Sequence, residues 1–428
     1  MNELPPGWEW ATTCDLFTFV TSGSRGWARY YSEEGAPFIR VGNLPRGSIR
    51  PDFTELQRVS PPVGSEGSRT RIQTNDILIS ITADLGRVAL MSEVREDSYI
   101  NQHVALGRPV KEINASYLAW YLSSDAVQRQ WVKQQRGATK LGLGLDDVRS
   151  ITVPLPPRPE QDAIVATIEE QFSRLDAGTA SLQSAKRRIP SIRASIIQSA
   201  VSGALTGDSG SLRETGLPVG WKLCSIDEIS ASSRNSLAIG PFGSNLKVSD
   251  YTTQGVPLIF VRQVRSAVFG GAGSRFVSKE KADELRAHSA RAGDVLITKM
   301  GEPPGDATVY PSGYPDAIIT ADVIKLSVRD GVAPEYVALA VNSKYVRDQF
   351  ISITRGVAQQ KVSLARLRQS VRIPMPPNEE QLQIVREVSW RMQEVDRMES
   401  AIEVQLLRSS SLRSSILKDA FAGKLASV

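Results

Sequence analysis

The chain has 428 residues and a formal net charge of +5, with 41% hydrophobic and 23% charged residues. This composition is typical of globular domains with apolar cores and excludes a disordered or fibrous chain. No apolar run of about 18 residues and no signal-peptide pattern occurs, and two cysteines are too few for a disulfide framework. We therefore expect a reduced, cytoplasmic protein of about two to four domains. The mildly basic charge gives only weak support for a nucleic-acid partner.

Residues 1–152 predict a mixed α/β domain. The apolar segment Asp76–Ile81 lies between turn residues, which predicts a buried strand. Aromatic and apolar residues recur at helical spacing over Ser116–Gln134, which predicts one helix. The aromatic residues of this helix are assigned to the core rather than to a base-stacking platform: Trp120, Tyr121 and Trp131.

A proline-rich segment, Val153–Pro157, is followed by Glu160-Gln161 and a long helical pattern that ends at Gly203. The prolines end any preceding strand, and the glutamate in the first turn complements the helix dipole. Pro190 should kink or interrupt this helix. Apolar residues recur every seven positions, which predicts a coiled-coil seam. This heptad row is Ile168, Leu175, Leu182, Ile189 and Ile196.

The same segment returns 220 residues later at Ile373–Leu425, without a gap. Sixteen of the 53 aligned positions are identical, where average residue usage gives roughly 3 to 4. The second heptad row is Val388, Val395, Ile402 and Ile416, with Ser409 in the fourth place, and a second seam comprises Phe172, Ile192, Met392, Met398, Leu406 and Leu412. Residues 217–372 repeat the order of signals of the first domain, but the loops differ. The repeat predicts a first domain at 1–152, a helical region at 153–206, a linker at 207–216, a second domain at 217–372 and a helical region at 373–428.

Catalytic signatures are absent from the sequence. It has no Walker phosphate loop and no Asn/Asp-Pro-Pro-aromatic tetrapeptide of the kind found in amino-methyltransferases. His103 and His288 are the only histidines, which is too few for a clustered metal site. We therefore expect neither catalysis nor a metal site in this chain.

The repeated combination of a divergent α/β domain, the proline-rich segment, Glu-Gln and a heptad helix resembles the specificity subunits of type I restriction–modification systems. The resemblance spans the chain and is strongest at Ile151–Gln161 and Val371–Gln381, with further support from Gly240-Pro-Phe-Gly-Ser244. It implies an α+β fold with two tandem target recognition domains and two long helices that pair as an antiparallel coiled coil. Pro190 and the Gly-Leu-Gly-Leu segment at Gly142–Leu145 depart from the family pattern.

The resemblance also implies a function. Each recognition domain would read one half of an asymmetric, bipartite target in double-stranded DNA, and the helices would separate the half-sites and dock two modification subunits. Those subunits would bind S-adenosylmethionine and methylate adenine, and two restriction subunits, with ATP and Mg²⁺, are an optional addition. Two other hypotheses stay open. The chain could be a self-contained methyltransferase or nuclease, or a coiled-coil scaffold that does not read DNA.

Base-reading side chains are expected among the arginine, lysine, asparagine and glutamine residues of the divergent loops. Candidates in the first domain are Arg25, Trp27, Arg29, Asn43, Arg46, Arg87 and Lys140. Candidates in the second domain are Asn235, Ser244, Asn245, Lys247, Arg262, Gln263, Arg265, Lys299, Gln359 and Lys361.

Overall fold

The computed structural model describes residues 4–425 apart from residues 24, 62–63, 135–141, 207–216, 265–267, 272, 302 and 356–359. The chain forms two compact units: unit 1 comprises residues 1–183 and 402–428, and unit 2 comprises residues 184–401. The chain has two long helices, a central helix at Arg158–Val201 and a C-terminal helix at Asn378–Ala420. Each of them contributes one part to each unit. The predicted linker at 207–216 lies outside the described residues.

Unit 1 contains three small sheets. Its strands are β1 (Glu9–Thr12), β2 (Phe17–Ser22), β3 (Tyr31–Ser32), β4 (Ala36–Ile39), β5 (Gln57–Val59), β6 (Ile77–Ser80), β7 (Val88–Leu90), β8 (Tyr99–Ile100), β9 (Val104–Pro109) and β10 (Thr152–Leu155). Its helices, besides its parts of the two long ones, are α1 (Thr13–Leu16), α2 (Ser65–Thr70), α3 (Ala115–Ser123), α4 (Asp125–Gln134) and α5 (Leu145–Arg149), and the central helix is α6. The strand orders are β2-β9-β6-β7, β3-β5-β4-β8 and β1-β10.

Unit 2 repeats this plan. Its strands are β11 (Lys222–Ser225), β12 (Leu237–Ile239), β13 (Val256–Ile259), β14 (Phe276–Val277), β15 (Ser289–Ala290), β16 (Val295–Thr298), β17 (Ala307–Val309), β18 (Ala317–Ile319), β19 (Val323–Leu326) and β20 (Arg372–Met375). Its helices are α7 (Ile226–Ile229), α8 (Lys279–Glu284), α9 (Pro334–Val341), α10 (Lys344–Ile353) and α11 (Leu364–Ser370), and the C-terminal helix is α12. The strand orders are β12-β19-β16-β17, β14-β13-β18-β15 and β11-β20. The first sheet is antiparallel in both units, and one pair of the second sheet, β4-β8 or β13-β18, is parallel.

The predicted helix over Ser116–Gln134 is wrong in one respect, because it is two helices that meet at Ser124. The matching segment of unit 2 is likewise divided, into α9 and α10. Ser343 begins the second of these, since its hydroxyl accepts a hydrogen bond from the amide of Val346 at 3.3 Å. Serine side chains compete with the helix backbone for hydrogen bonds and favour helix ends.

The start of each long helix is fixed by the Glu-Gln pair of the repeat. Gln161 is buried, its side-chain oxygen accepts from the amide of Asn114 at 2.9 Å, and its side-chain nitrogen donates to the carbonyl of Pro156 at 2.9 Å. The carboxylate of Glu160 accepts from the indole N–H of Trp8 at 3.0 Å. Gln381 and Glu380 make the equivalent bonds in unit 2, to Ala333, Pro376 and Trp221. The pair therefore satisfies buried polar groups where helix and sheet meet.

The two long helices run antiparallel where they contact each other within each unit. In unit 1 the guanidinium of Arg413 pairs with the carboxylate of Asp176, and the hydroxyl of Ser409 lies 2.9 Å from that of Thr179. In unit 2, Arg193 pairs with Asp396 at 2.6 Å and with Glu399 at 2.8 Å. The two arginine–aspartate pairs occupy equivalent positions of the 220-residue repeat.

The heptad row predicts helix burial well, and Pro190 does not interrupt the central helix. Every position of the row, Ser409 included, is buried or half-buried. The second seam is less complete, because Ile192, Met398 and Leu412 are exposed. The central helix continues through Pro190 without an interruption. Pro190 is exposed while the neighbouring Ile189 is buried, so the proline leaves the buried stripe of the helix intact.

Each unit has an apolar core in which residues of its first antiparallel sheet pack against the long helices. In unit 1, Trp120, Tyr121 and Trp131 are buried with Ile168 of the central helix and Phe421, which follows the C-terminal helix. The predicted assignment of these aromatic residues to the core is therefore confirmed. None of the described helices is long and apolar enough to cross a membrane.

Candidate nucleic-acid interface

In both units, several loops meet at one end of the first antiparallel sheet. In unit 2 they follow β12, connect β16 to β17 and precede β19; in unit 1 they follow β2, connect β6 to β7 and precede β9. Glycine permits the approach of two of these loops. A Cβ atom at Gly240 would lie 2.1 Å from the carbonyl carbon of Thr320, and one at Gly23 would lie 2.2 Å from that of Asn101. We call these two regions the loop clusters of unit 1 and unit 2.

The loop cluster of unit 2 combines an exposed aromatic ring with two lysines. The ring of Phe242 is 60% exposed, and the ammonium of Lys299 lies 4.9 Å from its centroid. Lys299 also donates to the carbonyl of Ala321 at 3.2 Å. Lys361 is exposed and reaches the cluster through a backbone bridge with Met300. The positive charges suit phosphates, and the ring offers a flat apolar surface to a base or sugar.

Burial lowers the pKa of Lys299, and the positive charge of Lys361 adds to this effect, while Asp322 opposes it. A phosphate group would suit this position, because it brings negative charge and further hydrogen-bond acceptors to the two lysines.

The loop cluster of unit 1 has different chemistry. Asp84 binds two arginines: Arg46 at 2.6 Å and Arg87, whose Nε donates to the carboxylate at 2.7 Å. Hydrogen bonding from Arg46 is the main reason that the pKa of Asp84 is lowered. The side chain of Arg46 is 72% exposed, whereas that of Arg87 is 25% exposed and also donates to the carbonyl of Leu44. Arg46 can therefore reach a ligand, and Arg87 mainly holds the loop.

Three of the candidate base-reading residues are buried, so the prediction that they read bases is wrong. Trp27 is 2% exposed and stacks on Phe38 with centroids 5.5 Å apart, so it is a core residue. Asn43 is buried and binds backbone groups of Arg40, Asp52 and Glu55. Gln263, 220 residues later, is buried and accepts from the amide of Phe260 at 2.9 Å, as Asn43 does from Arg40. Asn43 and Gln263 therefore build a turn that both units share. Neither of them, nor the buried Trp27, is available to read bases.

The remaining described candidates are exposed, but they do not form one surface patch. Arg25 follows β2 at the loop cluster of unit 1. Arg29 lies over the ring of Tyr30 at 4.8 Å. Asn235, with φ of 63°, precedes β12 and therefore lies at the end of that sheet opposite to the loop cluster of unit 2.

Other candidates surround the loop cluster of unit 2. Ser244 and Asn245 are exposed and close the turn that carries Phe242, since the amide of Asn245 donates to the carbonyl of Phe242 at 2.8 Å. Lys247 is exposed beside this turn. Arg262 is exposed and lies 5.4 Å from the centroid of the Phe260 ring. Three candidates, Lys140, Arg265 and Gln359, lie outside the described residues.

Phe242 was not among the candidate readers. Its sequence context, Gly240-Pro-Phe-Gly243, indicates a loop in which an aromatic residue has no core to enter, and this signal could have marked it. Within the described residues, no group of three or more histidine, cysteine, aspartate or glutamate side chains could hold a metal ion.

A family model and several known proteins resemble the chain in sequence. Residues 7–186 match the family described as type I restriction modification DNA specificity domain. The specificity subunit of the type I restriction enzyme EcoKI from Escherichia coli strain K12 is 24% identical over 440 residues, which cover 99% of this chain and 90% of that protein. The StySPI specificity subunit of Salmonella potsdam is 23% identical over 451 residues, with the same coverage.

Solved structures agree with the fold. A chain from a structural study of assembly and conformational transition in a type I restriction–modification system covers 99% of this chain and 100% of its own length, with a TM-score of 0.72 and 19% identity. The HsdS subunit of Thermoanaerobacter tengcongensis covers 99% of this chain and 98% of its own length, with a TM-score of 0.66 and 20% identity. The chain is therefore similar over its length to specificity subunits of type I restriction–modification systems, and residues 7–186 match the DNA specificity domain of that family.

Proposed function

We propose that the chain selects the DNA target of a type I restriction–modification enzyme, and that each loop cluster reads one half of a bipartite, asymmetric sequence. The observation that supports this most is a repeated frame with different side chains at equivalent places. Unit 2 carries Phe242, Lys299 and Lys361 around its sheet end, whereas unit 1 carries Arg25 and the pair Arg46–Asp84. Different donors and acceptors read different bases, so the two half-sites should differ.

The long helices are proposed to dock two modification subunits. Several apolar side chains of the C-terminal helix are exposed, among them Trp390 at 58% and Leu407 at 71%. Large exposed apolar side chains on a long helix are available for a partner to cover. The equivalent positions of the central helix are Glu170 and Arg187, so the two helices would offer different chemistry to the two partner copies.

Catalysis is proposed to reside in the partner subunits. The modification subunits would bind S-adenosylmethionine and methylate adenine in the selected sequence. Where restriction subunits join the assembly, two of them would use ATP and Mg²⁺ to translocate and cleave DNA. This chain would bind no cofactor itself and would act in the cytoplasm, where the DNA and its partners are found.

The proposal is tested by selection of bound DNA from a pool of random duplexes, with the full chain purified together with its modification subunits. We expect enrichment of one motif with two different specific halves and a fixed unspecified gap. Enrichment of no motif, or of a single uninterrupted motif, would contradict the proposal. Saturable S-adenosylmethionine binding by the chain alone would instead support a self-contained methyltransferase.

A further inference from the structure

One contact within unit 1 links the C-terminal helix to a loop of the recognition domain. The guanidinium Nη1 of Arg413 donates to the backbone carbonyl of Gly47 at 2.7 Å, across 366 positions of the sequence. Gly47 lies in the loop Leu44–Ile49, next to the exposed Arg46. The loop that carries a candidate base reader is therefore held by a residue from the other end of the chain.

Several hydrogen bonds within the recognition domain hold the loop Leu44–Ile49. Arg87 donates to the carbonyl of Leu44 at 3.0 Å, Asp84 accepts from Arg46 at 2.6 Å, and the amide of Leu90 donates to the carbonyl of Ile49 at 2.7 Å. Arg413 adds an anchor from the C-terminal helix. It binds next to Arg46, at a residue with φ of +70°, and this left-handed conformation helps to set the direction of the Gly47 carbonyl.

Arginine suits this place because its guanidinium serves three partners at once. One nitrogen donates to Gly47, another pairs with the carboxylate of Asp176, and the carbon between them lies 4.6 Å from the centroid of the Phe172 ring. The side chain of Arg413 is 19% exposed. A planar fork of donors can keep these contacts together, whereas a lysine offers one charged nitrogen on a flexible stem. Asp176 and Phe172 both belong to the central helix, so the side chain of Arg413 also joins the two long helices within unit 1.

We propose that Arg413 is a positioning residue for the first half-site, and that it fixes the loop Leu44–Ile49 so that Arg46 meets DNA in one orientation. This inference rests on the proposed reading of DNA by the loop cluster of unit 1. Arg193 occupies the equivalent place in the repeat, but its described ion pairs are with Asp396 and Glu399 of the helix. The repeat equivalent of Gly47, position 267, lies outside the described residues.

The test compares four variants of the full chain, each purified with its modification subunits. Arg413→Met removes both the loop contact and the ion pair with Asp176. Asp176→Asn weakens the ion pair and leaves the contact with Gly47. Arg193→Met removes the equivalent helix ion pairs in unit 2. Arg413→Lys keeps the positive charge without the fork. Binding is measured on the duplex selected by the parent complex and on duplexes with single-base changes in one half-site.

We expect Arg413→Met to lower the preference for the correct first half-site about tenfold, the effect of losing about one charge-assisted hydrogen bond, and to leave the second half-site unchanged. Arg413→Lys should also lower this preference, and the change in its logarithm should be more than half of the change in Arg413→Met. Asp176→Asn and Arg193→Met should change the preference for the first half-site by less than about twofold. Hydrogen exchange should rise at residues 44–50 in Arg413→Met and stay unchanged there in Asp176→Asn, which separates a loosened loop from weakened helix pairing.

Each other outcome overturns the inference. If Arg413→Met keeps its preference within about twofold of the parent, the loop does not need this anchor, while the proposed function stands. If Asp176→Asn loses as much preference as Arg413→Met, helix pairing and not loop position is the cause. If the parent complex itself shows no preference at either half-site, the proposed function fails, and the inference that rests on it fails as well.

Discussion

The buried glutamine at the start of each long helix gives a sharp test of how the units are held together. Gln161→Met keeps the length of the side chain and removes both of its hydrogen bonds, to the amide of Asn114 and the carbonyl of Pro156, each 2.9 Å long. Gln161 is 2% exposed, so neither backbone group gains water in exchange. A buried polar group that loses its partner costs about 1–3 kcal/mol, and here two backbone groups lose theirs. Burial of the apolar methionine side chain offsets part of this cost. We expect unit 1 to lose about 2–4 kcal/mol of unfolding free energy.

Hydrogen exchange with mass spectrometry measures this effect, because peptides from unit 1 and unit 2 are followed separately in the same full-length complex. Gln161→Met should speed exchange at Asn114 and at the most protected amides of unit 1, with no change in unit 2. Gln381→Met should do the reverse, since it removes the equivalent bonds to Ala333 and Pro376. Gln383 is exposed on the C-terminal helix, and Gln383→Met is the matched control. The reasoning is refuted if the amides of unit 1 exchange as slowly in Gln161→Met as they do in Gln383→Met.

Three further results are expected. Replacement of residues 217–372 by the matching region of a relative should change one half-site in a DNA selection and leave the other intact; a change in both would contradict independent reading. Lys299→Ala and Lys361→Ala should each reduce the slope of log binding constant against log salt by about 1, and an unchanged slope would remove that lysine from the phosphate contacts. Lys325 is buried, donates to the carbonyl of Ser289 at 2.8 Å, and has a pKa lowered by burial. The folded state therefore binds this proton less tightly than the unfolded state, so its destabilising effect is full below the lowered pKa and fades as pH rises from there to the ordinary lysine value. In alkaline urea titrations, Lys325→Met should remove this part of the rise in unit 2 stability, and an equal rise in both proteins would refute the assignment.

The frame of the protein could be predicted from sequence because it depends on repeated, local signals. The heptad row, the buried strand around Ile77–Ser80 and the shared order of elements all follow from residue period and from the 220-residue repeat. The helix divisions at Ser124 and Ser343 were missed because apolar periodicity continues across them. Pro190 does not interrupt the helix, because an exposed proline removes one hydrogen bond and leaves the buried stripe intact.

The candidate site was less predictable, because a polar loop residue has the same appearance in sequence whether it binds DNA or the backbone of its own turn. Asn43 and Gln263 show this clearly, since both are buried and accept from the amide three positions before them. Asn235 was grouped with residues from the opposite end of its sheet, a distinction that needs the strand pairing. The contact of Arg413 with Gly47 joins positions too far apart for any local pattern.

The central claim is that this chain selects a bipartite DNA sequence for methylation by its partners. The most direct measurement is a genome-wide map of N6-methyladenine in the host, made with the gene intact, deleted and restored. We predict one asymmetric motif with two specific halves and a fixed gap, which loses methylation on deletion and regains it when the gene is restored. A methylation map that is unchanged by the deletion, with the gene expressed together with its modification subunits, would contradict the account.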